Sequence, residues 1–299
     1  MNILAIDIGG TFIKYACMDE EMRFLSRGKV PTPLESCEQL IEVIGKLYDE
    51  APDVAGIAIS MPGIIDTENG YCKMGGALRY NDDFYLRHQL YERCPVKIYM
   101  ENDAKCAAMA EAAVGSLKDV SDGFVLIFGT MIGGGYIKDH KLHRGKHFSA
   151  GEVSYITTVR DGMAQYDTVW GNRCGTPHLC AMFAEKKGLP PEEVDGIKVF
   201  EAVNAKDEDA VACLQVFTKE IAVQLFNLQT VLDPERFAIG GGISVQPIFI
   251  DYIRNHLKAM YAECPYNVPH AEVVSCKFQN DANLVGAVQC FLAAFQQEA

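Results

Sequence analysis

The 299-residue sequence has a single tryptophan, and none of its apolar runs approaches the roughly twenty residues that a bilayer-spanning helix requires. An integral membrane role is therefore not expected. Positive charge is also scarce, with 27 Lys and Arg against 40 Asp and Glu and a net charge of −13. A surface of that sign repels phosphodiester backbones and anionic lipid, which excludes non-specific nucleic-acid or membrane binding. Any anionic ligand must then be held by backbone amides, a metal ion or a few local cations. A disulfide framework is missing as well, because the eleven cysteines are odd in number and scattered without framework spacing. The segment Met1-Asn2-Ile3-Leu4-Ala5 enters a strand-like pattern with no basic region, so no signal peptide is expected, and reduced thiols in a cytoplasmic setting follow. No linker, low-complexity tract or block of like charge divides the chain.

The composition that remains, 49% hydrophobic and 22% charged, is that of a globular chain with ample core, long enough for one large domain or two ordinary ones. Its organising stretch is Glu101-Asn102-Asp103-Ala104. The run Val96 to Met100 before it reads as a strand, and the Ala-rich segment after it, ending near Gly115-Ser116, reads as a helix. Asp103 therefore stands at a strand-to-helix corner, where free N–H groups and the helix dipole favour an ionised carboxylate. A carboxylate so fixed can take a proton from a substrate hydroxyl, while Asn102 can hydrogen-bond a neighbouring hydroxyl. Asn-Asp at such a corner also serves as a plain helix N-cap.

Glycine punctuates the rest. Asp7-Ile8-Gly9-Gly10-Thr11 lies between two strand patterns and is followed by a third, an antiparallel meander in place of the strand-to-helix turn of a dinucleotide fingerprint. Such a turn is a common hairpin, yet its glycines also let the backbone approach a phosphate, and Asp7 can hold a hydrated metal. The pattern recurs at Phe124 to Leu142 around Gly129-Thr130 and Gly133-Gly134-Gly135, which predicts an internal duplication whose glycine turns can face each other across a cleft. A third cluster, Gly240-Gly241-Gly242, falls between a strand (236–239) and a helix after Pro247, the usual anion corner of an α/β sheet. Helical spacing is expected over 34–49, 84–93 and 210–232, and a buried parallel strand over 54–60.

With these motifs in order, the chain resembles the ROK family of sugar kinases. The residues that carry the resemblance are Asp7-Ile8-Gly9-Gly10-Thr11 with Lys14, Pro62-Gly63 with Ile65-Asp66, Glu101-Asn102-Asp103-Ala104, Gly129-Thr130 with Gly133-Gly134-Gly135, Ala150-Gly151-Glu152, Ile239-Gly240-Gly241-Gly242, and Asn280-Asp281 with Gly286. The resemblance implies an α/β, actin-like (ribonuclease H-like, hexokinase-type) ATPase fold with a duplicated two-lobe architecture. Its small lobe would comprise 1–115 plus a C-terminal helix at about 284–299, and its large lobe 116–283. It implies Asp103 as general base toward a sugar hydroxyl, with Asn102, Glu152, Gly63 and Asn81 at the sugar. Asp7, Gly9, Gly10, Thr11, Lys14, Gly129, Thr130, Gly133 and Gly241 would surround ATP, with Mg2+ near Asp7. A homodimer is the family expectation.

Three departures from the family pattern stand out. Met131 replaces a glycine in the Gly129–Gly135 loop, where a positive φ would be costly. Tyr155 takes the position of a sugar- and zinc-binding His. Of the family's zinc cysteines only Cys174 and Cys180 remain, with His178 between them, so no four-ligand site is formed and zinc is not expected. A branch lacking zinc, which includes β-glucoside kinases, is similar through Gly75-Gly76-Ala77-Leu78-Arg79-Tyr80-Asn81. The expected reaction is therefore phosphorylation of the 6-hydroxyl of glucose or of a β-glucoside such as cellobiose. N-acetylmannosamine or fructose phosphorylation and a catalytically silent sugar sensor are the alternatives. Regulators of the family carry an N-terminal helix-turn-helix, whereas here a strand pattern starts at Ile3 and the charge is acidic.

Overall fold

A computed structural model describes residues 1–158 and 167–295. The first half contains β1 (Asn2–Ile8), β2 (Phe12–Asp19), β3 (Phe24–Pro31), α1 (Cys37–Glu50), β4 (Val54–Met61), β5 (Ile64–Asp66), β6 (Tyr71–Met74), α2 (Leu86–Arg93), β7 (Lys97–Asn102) and α3 (Asp103–Val114). Then follow β8 (Gly123–Phe128), β9 (Ile132–Lys138), β10 (Lys141–His143), α4 (Trp170–Arg173), α5 (Thr176–Lys187), α6 (Gly196–Asn204) and α7 (Glu208–Leu232). The chain continues through β11 (Arg236–Gly241), α8 (Pro247–Glu263), β12 (Glu272–Ser275) and α9 (Ala282–Phe295). Residues 296–299 of the expected C-terminal helix lie outside the described residues.

The chain divides into two compact units, one built from Met1–Val114, Lys141–Ala150 and Asn280–Ala299, the other from Gly115–His140 and Gly151–Gln279. The sheet of the first unit runs β3-β2-β1-β4-β7. Its first three strands form the antiparallel meander read from the sequence, and β4 and β7 extend it in parallel from β1. Strand β4 carries no charge because both faces are covered. On one face Ile57 and Ile59 pack with Leu40 and Ile44 of α1 and Leu86 and Leu90 of α2. On the other, Gly56 leaves room for the Phe291 ring of α9. Helix α9 also lies against α3, where a Cβ at Gly286 would overlap the Cys106 carbonyl, so the close packing suggested by that glycine is present.

The second sheet repeats the order as β10-β9-β8-β11-β12, with β8 antiparallel to β9 and parallel to β11. This repetition is the duplication inferred from the sequence. The core of the second unit joins Phe124, Leu126 and Phe128 of β8 to Leu214, Phe217 and Ile221 of α7 and Phe249 of α8. Phe128 meets Phe249 edge-on at 5.6 Å, a geometry that adds about 0.5–1.5 kcal/mol to simple burial. Helix α7 is long and apolar enough by length and composition to cross a membrane, but its apolar stripe is spent on this core.

Candidate active site

Strand β7 ends at Asn102 and α3 begins at Asp103 without an intervening residue, so the expected corner is present. Asn102 uses both ends of its amide. Its Oδ1 accepts the Lys105 backbone N–H at 3.1 Å, capping α3, and its Nδ2 donates to the Gly63 carbonyl at 3.0 Å. The Asp103 carboxylate, partly exposed, accepts its neighbour Ala104 N–H at 2.8 Å, which fixes one oxygen toward the helix axis. Gly63 has φ 107°, and a Cβ there would collide with the Met74 carbonyl and come within 2.9 Å of the Gly76 nitrogen. The Pro62-Gly63 turn is thus folded tightly onto the loop that begins at Gly75, and Asn102 ties that turn to the Asp103 corner. Within this loop Asp82 Oδ1 accepts the Gly75 N–H at 2.8 Å, which with Arg79 lowers the Asp82 pKa. Asn81 is fully buried, its Oδ1 accepting from the Cys37 thiol at 3.2 Å and its Nδ2 without a partner among the described residues.

The first glycine turn is in the same unit. Gly9 N–H donates to the Phe12 carbonyl at 3.1 Å, closing the hairpin, and Gly10 and Thr11 are exposed at its tip. Asp7 faces Lys14 across the β1–β2 pair, with its Oδ2 3.7 Å from the Lys14 ammonium. The other oxygen accepts from Ser60 Oγ at 3.0 Å and from Asn283 Nδ2 at 2.9 Å. One oxygen is therefore committed to the fold, and the other is left for a cation.

Three residues that brace this turn escape the sequence reading. Ser60 is the register partner of Asp7 on the parallel strand, a relation that only strand pairing reveals. Asn283 comes from the start of α9, and Thr32 locks the turn by donating to the Gly9 carbonyl at 2.7 Å.

In the second unit, Gly129 N–H donates to the Met131 carbonyl at 2.9 Å. Met131 does not adopt a positive φ, so the loop accommodates it without strain, and its methyl end lies beside Gly171. Thr130 is exposed, and Gly133 pairs with Ile127 in the β8–β9 ladder. Gly151, at φ 90°, approaches Gly134 so closely that a Cβ would stand 2.7 Å from the Gly134 carbonyl. Glu152 follows directly, at the start of a short 3-10 turn (Val153–Tyr155) whose Ser154 clamps both backbone groups of Ile132. Tyr155 is exposed, and partial burial followed by Glu152 raises its pKa. Gly241 turns the end of β11 with φ 95°, forced by close packing on Phe128. Beyond it lies a cavity of about 230 Å3 lined by Ser244, Pro247, Ser275 and Gln279 among others, at the C-terminal ends of β11 and β12.

Three glycines of the glycine-rich turns have open space beside them. A Cβ at Gly10 would have Ala77 Cβ as its nearest neighbour at 4.0 Å, at Gly129 only the Met131 carbonyl at 3.8 Å, and at Gly242 nothing within 4 Å. None has a positive φ, so the fold does not require glycine at these positions. The space a side chain would fill is space a phosphate can use.

Cys174 is buried, and burial followed by Glu220 pushes its thiol pKa up, as expected of a packed thiol. His178 is held below its ordinary pKa by burial and then by Arg173. Among the described residues no group of three or more His, Cys, Asp or Glu is arranged to hold a metal ion.

The comparisons agree along the whole chain. Residues 3–294 match the ROK family. A beta-glucoside kinase of Listeria monocytogenes is 32% identical over 293 residues, covering 98% of each chain. Another, from Klebsiella pneumoniae, is 33% identical over 294 residues, covering 97% of this chain and 96% of its own. An N-acetyl-D-glucosamine kinase from Mannheimia succiniciproducens is 28% identical, covering 97% and 99%. Among solved structures, a ROK family protein from Streptococcus pneumoniae in complex with sucrose superposes with a TM-score of 0.89 at 28% identity, covering 99% of this chain and 100% of that one. A ROK family glucokinase from Streptomyces griseus in complex with glucose and AMPPNP reaches 0.81 at 26% identity, covering 96% and 98%. Matched nearly end to end and built from two sheets of one repeated order, this chain belongs to the ROK family and has its actin-like ATPase fold.

Proposed function

We propose that this sugar kinase transfers the γ-phosphoryl group of ATP to the 6-hydroxyl of a β-linked glucoside or of glucose, with Asp103 as general base. The observation that carries the reading is the β7–α3 corner, where Asp103 stands beside an Asn102 bonded to the Gly63 turn. Asp103 accepts the hydroxyl proton as the sugar oxygen attacks the γ-phosphorus. The bond to the β–γ bridging oxygen breaks, and ADP leaves. Asn102, Gly63 and Glu152 orient the sugar, while Asn81, with no exposed surface, supports the loop beneath it. Little covalent chemistry is required of the protein, and positioning supplies most of the rate.

The nucleotide reading draws on the open glycines. The exposed backbone of Gly10 and Thr11 in one unit and of Thr130 in the other suits phosphate oxygens, while Gly9, Gly129, Gly133 and Gly241, whose backbones are bonded or tightly packed, would shape those turns around ATP. The cavity beyond Gly241 suits the nucleoside. Asp7, with one oxygen already committed, would hold Mg2+ through the other, and the ion would neutralise phosphate charge. Lys14, whose ammonium lies 3.7 Å from Asp7 and donates to the Asn280 carbonyl at 3.5 Å, would serve a phosphate held at that turn.

The β-glucoside preference rests on the two relatives at 32% and 33% identity. An acetamido sugar is the second reading, favoured by the 28% relative, and Tyr155 in place of a His speaks against it. Coupled ADP release with Mg-ATP across cellobiose, salicin, glucose, mannose, fructose, N-acetylglucosamine and N-acetylmannosamine tests the proposal. Turnover fastest on a β-glucoside and lost in Asp103→Asn supports it. Turnover confined to the acetamido sugars sinks the substrate, and activity surviving in Asp103→Asn sinks the base.

A further inference from the structure

We propose that Lys141–Ala150 is a strap whose Arg144 is a positioning residue for the Asp103 corner, acting through Glu101. The inference rests on the reading of Asp103 as base. The strap is encoded in the middle of the sequence yet packs with the first unit, β10 lying against α3. Arg144 reaches strand β7 with two arms of its guanidinium. Nε donates to Glu101 Oε2 at 2.7 Å, and Nη2 donates to the Tyr99 hydroxyl at 2.9 Å. Tyr99 and Glu101 are alternate residues of one strand and so share a face, which a planar fork can span and an ammonium cannot. Glu101 passes the restraint on, because its Oε1 accepts the Asn102 N–H at 3.0 Å. Asn102 in turn caps α3 and holds the Gly63 turn. A continuous chain of bonds therefore runs from the strap to both sides of Asp103.

Three further features hold the strap in place. Phe148 adopts φ 62°, a conformation that bulky side chains rarely take and that persists only where the surroundings over-determine it. Its ring carries the Lys73 ammonium 4.9 Å from its centroid, which pins the strap to β6. Ala150 N–H closes the loop on the Arg144 carbonyl at 3.1 Å. Glu101 is almost wholly buried, and burying a charged pair is a poor way to gain stability compared with apolar packing. What an ion pair with a fixed fork does offer is direction. In sequence the strap is followed directly by Gly151-Glu152.

The test uses the full-length enzyme, with kinetics normalised to folded protein by circular dichroism. Arg144→Met is expected to lower kcat about 10- to 100-fold while the KM for ATP stays within about twofold, the scale on which a misplaced catalytic group costs rate. Arg144→Lys should recover part of the loss, because one arm of the fork can be replaced. Combining Arg144→Met with Glu101→Gln should be no worse than Arg144→Met alone, since the two act as a unit. Tyr99→Phe, which deletes a single hydroxyl, should lower kcat about 2- to 10-fold with a melting temperature lowered by no more than a few degrees, as expected for one lost hydrogen bond. The proposal is overturned if kcat per folded molecule stays within twofold of wild type in both Arg144→Met and Tyr99→Phe, or if the losses multiply in the double variant. Wild-type turnover that does not depend on Asp103 removes the underlying reading instead, and is scored separately by Asp103→Asn.

Discussion

Replacing Gly10 by Ala separates folding from nucleotide binding. The added Cβ would find its nearest neighbour 4.0 Å away, which is ordinary van der Waals distance, and the backbone there is not left-handed. The folded state is therefore not strained, and the unfolded chain loses freedom, which stabilises by about 0.4–1 kcal/mol. At roughly 2–4 °C per kcal/mol for chains of this size class, the melting temperature should hold or rise by a few degrees. Function should move the other way. A methyl group at an exposed turn tip holds a phosphate off the backbone amide and removes one charge-assisted hydrogen bond, about 1.5–3 kcal/mol or some 10- to 150-fold in affinity. The assay is titration calorimetry with a non-hydrolysable ATP analogue alongside scanning calorimetry of the free protein. Unchanged nucleotide affinity would refute the reasoning, as would a melting temperature lowered by more than about 5 °C.

Gly286→Ala should do the reverse, since its Cβ overlaps the Cys106 carbonyl. Overpacking of this kind typically costs about 1–3 kcal/mol, read as a lower urea midpoint, and an unmoved midpoint would show that α3 and α9 can separate freely. Asp103→Asn should lower kcat about 10²- to 10⁴-fold with a native circular dichroism spectrum, and retention of more than a tenth of the rate counts against it. Asn283→Ala should raise the Mg2+ concentration needed for half-maximal rate, because Asp7 Oδ1 loses one of its two donors; an unchanged requirement would detach Asp7 from the metal. His178 and His256 both have pKa values depressed chiefly by burial, so in the unfolded chain they bind protons that the folded chain refuses. The stability they confer is complete above the unfolded value near 6.5 and is lost as the pH falls through the depressed folded values. Thermal melts from pH 7.5 to 5 should show this decline, flattened in His178→Gln with His256→Phe, and an identical slope in the variant would exclude these groups.

Much of the architecture is legible because alternation, charge-free strands and glycine turns are local. The meander, the parallel strand β4 and the long helix α7 all follow from spacing. Boundaries slip where a long-range partner intervenes. A helix expected from Phe84 starts only at Leu86, because Phe84 exchanges two backbone bonds with Cys72 and is held extended. The helix expected from Leu34 starts at Cys37, where Ser36 accepts the Gln39 N–H. The candidate site divides the same way. Asp103 and the glycines can be read in order, but Ser60, Thr32, Asn283 and Arg144 reach their partners across 53, 23, 276 and 43 residues, and no window along the sequence contains both ends. Met131 looked disruptive only because its backbone angle could not be known.

The first unit is made of three separate stretches, and its last, α9, packs on the faces of β1, β4 and β7 and along α3. During synthesis the opening sheet therefore emerges with one apolar face bare, and stays so until α9, encoded far downstream, has been made. The second unit, nearly continuous in sequence, can consolidate first. Ribosomal delay before α9 emerges should thus expose Gly56, Ala58 and the glycine turn to chaperones, and Asp7 acquires its Asn283 partner only once α9 has docked. Closure of the first unit, and of the Asp7 carboxylate within it, therefore waits on α9.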